Sequence, residues 1–113
     1  MQAVFIIISE ADRLQDVLTG LLEVGITTAT IIESQGMGRA VMDNLSIFAG
    51  FRDLWSGNLS YNHTLFTVVD DEKVEELIPV VKDILAPGDS PSKGVLFTLP
   101  VARLVKFTPS KED

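Results

Sequence analysis

The chain has no cysteine among its 113 residues, and only one histidine, one tryptophan and one tyrosine. Without cysteine there is no disulfide framework, no thiolate zinc site and no thiol nucleophile. A lone histidine, His63, leaves no two-histidine metal pair within one chain, and no nucleophile stands beside a base in the pattern. Positive charge is scarce too: nine basic residues face sixteen acidic ones, for a net charge of −7. No run of Lys or Arg offsets this locally, so a phosphate backbone is repelled and no nucleic-acid partner is expected. No apolar run reaches the ~20 residues needed to cross a bilayer. The opening residues 1–8 are apolar but stop at Ser9-Glu10 and lack a basic flank, so no export signal is expected and a cytoplasmic location is.

What is present is a globular composition, 46% hydrophobic, in a length that suits one domain over residues 1–113. Residues 3–8 read as a buried strand. A helix is predicted over 12–24, where Leu14, Val17, Leu18, Leu21 and Leu22 recur at helical spacing and Gly25 provides a left-handed stop. The β-branched stretch 26–34 reads as a second strand, broken at Gly36-Met37-Gly38-Arg39. A strand over 64–69 and a helix over 72–85 follow, with Asp70 or Asp71 as cap and Pro79 expected to kink the helix or delay its start. The acidic residues Asp70, Asp71, Glu72, Glu75 and Glu76 read as a solvated first turn, not a metal site. Residues 86–94 form a loop by composition, and strands are predicted over 95–99 and 102–107.

Two crossing strand-helix-strand units give an α+β, ferredoxin-like βαββαβ sandwich, with an antiparallel sheet and both helices on one face. The near-continuous apolar strands imply that the other face is covered too, most simply by further copies of the chain. The connection 40–62 is unusually apolar for a loop. Leu45, Phe48, Arg52 and Trp55 share one helical face, with Ile47, Phe51 and Leu54 beside it. Two readings stand: a short helix folded against the protein, or a docking helix for a partner.

The segment Leu22-Glu23-Val24-Gly25-Ile26-Thr27, followed by Glu33-Ser34-Gln35-Gly36-Met37-Gly38-Arg39, resembles the PII nitrogen-regulatory superfamily. So do Gly88-Asp89 and the run from Lys93-Gly94-Val95 to Pro100-Val101-Ala102-Arg103. The resemblance implies a homotrimeric, non-enzymatic signalling protein whose inter-subunit clefts hold an adenine nucleotide (ATP, ADP, AMP or a cyclic nucleotide) or a related effector. It implies a signalling loop, here 40–62, that docks onto a protein partner such as a membrane transporter or an enzyme, here through Leu45, Phe48, Phe51 and Trp55.

By the same resemblance, Thr30, Gly36, Gly38 and Arg39 form one wall of the nucleotide cleft. Ser92, Lys93 and Gly94 belong to a phosphate-type loop over 87–94, and Lys106 is a basic cleft position. The chain departs from the family at three points: Val95 stands where the phosphate-loop lysine is, Thr108 where a second arginine is, and Ala40 where a glutamine follows the loop arginine. Each lost cation removes a charge-assisted contact to phosphate. Lys93, two positions from Val95, is the nearest substitute, and a less charged adenylyl ligand or another small molecule fits as well. Two alternatives stay open: a CutA-type trimer with a structural or metal-tolerance role, and a dimeric amino-acid-binding regulatory module. The glycines and Arg39 have bland readings too, as a sharp turn and a solvated loop arginine.

Overall fold

The computed structural model describes residues 1–42, 61–89 and 91–108. The element order is β1 (Gln2–Ile8), a 3-10 turn (Ala11–Arg13), α1 (Leu14–Glu23), β2 (Thr30–Gln35), α2 (Met37–Met42), β3 (Tyr61–Val69), α3 (Asp71–Leu85) and β4 (Gly94–Pro100). The four strands lie in the order β2-β3-β1-β4, and every neighbouring pair is antiparallel. This is the βαββαβ arrangement expected from the sequence. β1 is central because it is apolar on both faces, which suits a strand paired on both sides and covered above and below.

One sheet face carries Val4, Ile6 and Ile8 of β1 and Leu65 of β3, and packs against Val17 and Leu21 of α1 and Val74, Leu77, Val81 and Leu85 of α3. Thr67, the one buried polar side chain among the described residues, donates its hydroxyl to the Thr28 carbonyl at 2.7 Å, so burial leaves no orphaned group there. On the opposite face the rings of Phe66 and Phe97 flank Phe5 with centroids 5.8 and 5.0 Å away. Ile32, Val95, Phe97 and Leu99 are exposed in the single chain.

α1 ends in a Schellman motif: the Gly25 amide donates to the Leu22 carbonyl at 3.0 Å and the Ile26 amide to that of Leu21 at 2.9 Å. Gly25 takes φ 84°, the left-handed value the motif requires, and Ile26 is buried beneath it.

Several elements differ from the sequence expectation. β2 starts at Thr30 rather than at residue 26, because Ile26 is spent on the helix stop and Thr28 on the bond from Thr67. The break after β2 is not a simple turn: Gly38 and Arg39 lie inside α2, whose first helical bond runs from the Ala40 amide to the Gly36 carbonyl at 3.1 Å. α3 begins at Asp71, so Pro79 lies within it rather than at a delayed start, on an exposed position. Asp70 is its N-cap residue but makes no side-chain cap bond. Asp71 accepts instead from the Met1 ammonium and Gln2 Nε2, both at 3.0 Å. The expected strand over 102–107 is absent from the described residues: 101–108 form no ladder, and after Val101 bonds the Met1 carbonyl the tail leaves the sheet edge. The residues 43–60, with Leu45, Phe48, Phe51 and Trp55, lie outside the described residues, as does Ser90.

Candidate functional site

The residues singled out from the sequence fall into three groups. Thr30, at the start of β2, and Lys106, on the tail, line one cleft of about 510 Å³ with Thr28, Phe66 and Val68. It shares Thr27, Thr28, Thr67 and Lys106 with a second hollow of about 480 Å³ that reaches Met1 and Lys73. Antiparallel pairing places Thr30 opposite Phe66, mid-sheet, whereas Gln35 lies opposite Tyr61 at the far end. Gln35, just before Gly36, Gly38 and Arg39, therefore lies about 17 Å from Thr30, five residues along the strand.

At that far end, Gly36 approaches Asn62: a Cβ there would lie 3.3 Å from Asn62 Nδ2. Asn62 lines a hollow of about 440 Å³ with Glu33, Ser34, Gln35 and His63. His63 stands opposite Glu33 in the ladder, and its Nδ1 is buried without a hydrogen-bond partner among the described residues. Gly38 is buried and Arg39 half-buried in α2.

The third group, Ser92, Lys93 and Gly94, sits at the same end of the sheet but on the other edge. Gly94 pairs with Ile8, and Ile8 with His63, so the order across this end is Gly94, Ile8, His63, Glu33. Three strand spacings of about 4.8 Å separate the loop from β2. Gly94 has a structural reason for its identity, since a Cβ would lie 2.4 Å from the Ile7 carbonyl oxygen.

Several donors of this group are engaged. The Lys93 amide donates to the Leu85 carbonyl and the Lys93 carbonyl accepts from Ser9, each at 2.7 Å. The Ser92 hydroxyl donates to the Gly94 carbonyl at 2.6 Å and accepts from the Gly94 amide at 3.3 Å. The Lys93 ammonium lies 2.9 Å from Glu10 Oε1, and Arg13 Nε stands 3.9 Å from the other oxygen. The hydrogen bond from Lys93, together with the charges of Lys93 and Arg13, holds the Glu10 carboxyl below its ordinary range. Glu10 and Arg13 are the members of this arrangement that the sequence motif did not single out. Glu10 lies two residues after β1 and Lys93 immediately before β4, and the pairing of those strands sets them side by side.

One monomer thus brings Thr30 together with Lys106, but not with Gly36–Arg39 or with 92–94. Residues 1–111 match the family model "Nitrogen regulatory protein P-II". The chain belongs to the P-II family. Among solved structures, it is similar to Arabidopsis thaliana PII bound to citrate, with a TM-score of 0.62 and 22% identity over 88% of this chain and 76% of that one. That likeness supports the ferredoxin-like fold. A comparison with curated protein sequences finds no match. Among the described residues of this P-II chain, no His, Asp and Glu gather as metal ligands, and no helix is long and apolar enough to cross a membrane.

Proposed function

We propose that the chain is a P-II-type signalling protein, not an enzyme: a homotrimer that binds an adenine nucleotide in clefts between subunits and regulates a partner protein through loop 40–62. The observation that carries this reading is the division of the site. Thr30 with Lys106, Gly36 with Arg39, and Ser92–Gly94 lie on separate edges or ends of one sheet. Packing the bare Phe5/Phe66/Phe97 faces around a threefold axis brings the β4 edge of one copy to the β2 edge of the next and buries the apolar surface a monomer leaves in water.

In this assembly Arg39 and Lys106 are the cations that meet the ligand's anionic part, Arg39 with its planar five-donor group. The ligand acts on the partner through loop 40–62 and can shift its state by no more than its differential affinity for the two loop conformations. Leu45, Phe48, Phe51 and Trp55 supply the partner contact, of the kind a transporter or enzyme surface receives.

The test is thermal stability against ATP, ADP, AMP, cyclic nucleotides, 2-oxoglutarate, bicarbonate and divalent metals. A ligand at ~100 times its Kd adds about 2.7 kcal/mol to the folded state, a shift of a few degrees in a domain this size. An adenylyl compound is expected to give that shift, and Arg39→Ala to abolish it. Absence of a shift with every nucleotide overturns the reading.

A further inference from the structure

The loop over 87–94 is the part of the proposed site where a phosphate chain would lie, and its arrangement bears on which phosphates fit. An anion nest needs backbone amides and an ammonium that are available to the ligand. Here the Lys93 amide is bonded to Leu85, the Gly94 amide to the Ser92 hydroxyl, and the Lys93 ammonium to Glu10 at 2.9 Å. The Glu10 carboxylate stands beside the only lysine of that loop, with Arg13 on its other side and Asp16 beyond, 3.9 Å from Arg13 Nη1. Charge at this corner is therefore already paired, and a polyphosphate approaching it meets Glu10 as a repelling neighbour. A ligand with one phosphate, held by Arg39 or Lys106, does not need the corner.

We infer that Glu10 is a specificity-determining residue: by holding Lys93 it weakens the hold of residues 92–94 on a polyphosphate, so that the cleft does not favour ATP over an adenylyl ligand with a single phosphate. This rests on the adenylyl reading above and adds to it a charge limit and the residue that sets it. Glu10 is reached from β1 and Lys93 from β4, so the limit is built by the pairing of two strands rather than by the loop's own sequence. Ser9 locks the geometry, since its amide bonds the Lys93 carbonyl and leaves the two side chains adjacent.

The experiment is calorimetric titration of the full chain with AMP and ATP, in the wild type, Glu10→Gln, Lys93→Met, the double variant and Arg39→Ala, with each fold verified by circular dichroism. The wild type is expected to bind AMP at least as tightly as ATP. Glu10→Gln is expected to tighten ATP about fivefold, the range an exposed ion pair spans, and to leave AMP within about twofold. Lys93→Met alone is expected to change ATP affinity little, and the double variant to lose the gain. AMP binding that needs Arg39, with ATP affinity unaltered in Glu10→Gln or sharply reduced in Lys93→Met, overturns the role of Glu10 and leaves the adenylyl reading standing. Failure of both AMP and ATP to bind in every variant overturns the role of Glu10, and absence of a thermal shift with every nucleotide of the wider set overturns the adenylyl reading as well.

Discussion

At the scale of single residues, the contacts that matter are those made across long stretches of chain. Asp71 looked like a helix cap, yet its carboxylate ties the chain's first two residues to the start of α3 through two 3.0 Å bonds. The bond from Gln2 and the bond and charge of the terminal ammonium hold its pKa below the ordinary carboxylate value. A carboxyl with a lowered folded-state pKa stabilises above its unfolded pKa, near ~4, and that contribution is lost as pH falls through the folded value. Asp71→Asn is therefore expected to lower Tm slightly at neutral pH, with the difference from wild type closing as pH drops below ~4. A pH series of thermal melts checks this, and a difference independent of pH would point to a lost packing contact instead. The site residues show the same lesson in reverse. Arg39 and Lys106 were legible in the sequence as candidate cations, but the engagement of Lys93 was not, because Glu10 lies 83 positions away in the chain.

At the scale of elements, hydrophobic spacing identified both long helices, since their buried faces recur at helical period and the helix layer buries only those faces. Boundaries were less legible where a residue had two possible uses. Ile26 is β-branched and reads as strand, but the Schellman stop of α1 claims it. The glycines after β2 read as a turn, whereas Gly38 sits in α2. Gly20 illustrates how packing overrides propensity. Alone, glycine inside α1 costs about 1 kcal/mol relative to alanine. In the fold, a Cβ there would lie 2.8 Å from Val80 Cγ1 and 3.1 Å from Ile84 Cδ1, where α1 packs against α3. The overpacking cost, typically ~1–3 kcal/mol, exceeds the propensity gain. Gly20→Ala is expected to destabilise by about 1 kcal/mol in chemical denaturation, although alanine is the better helix former. A stabilised variant would show that the helices separate without cost.

At the scale of the whole molecule, the bare sheet face sets the expectations. Phe5, Phe66 and Phe97 form a stacked aromatic row with Val95 and Leu99 exposed beside it, an apolar face of the kind that contact with another chain covers. In the proposed trimer this row lies at the subunit contact, so a buried charge there carries a large desolvation cost. Phe97→Asp is expected to shift the sedimenting species from trimer to monomer and to remove the ligand-induced Tm shift along with it. A variant that stays trimeric would place the contact elsewhere.

The sequence by itself determined the fold class, the helix faces, the glycine stop of α1 and the apolar character of both sheet faces, because periodicity and turn chemistry are local properties of the chain. It also carried the family signature at 22–39 and 88–103. Only the tertiary structure decided where the pieces of the site stand. The order β2-β3-β1-β4 puts Gly36 and Gly94 on opposite edges of one sheet end. It also sets Glu10 against Lys93 and keeps 101–108 out of the ladder. Those outcomes depend on which strands pair, a long-range choice made by burial of the whole core and written in no single segment.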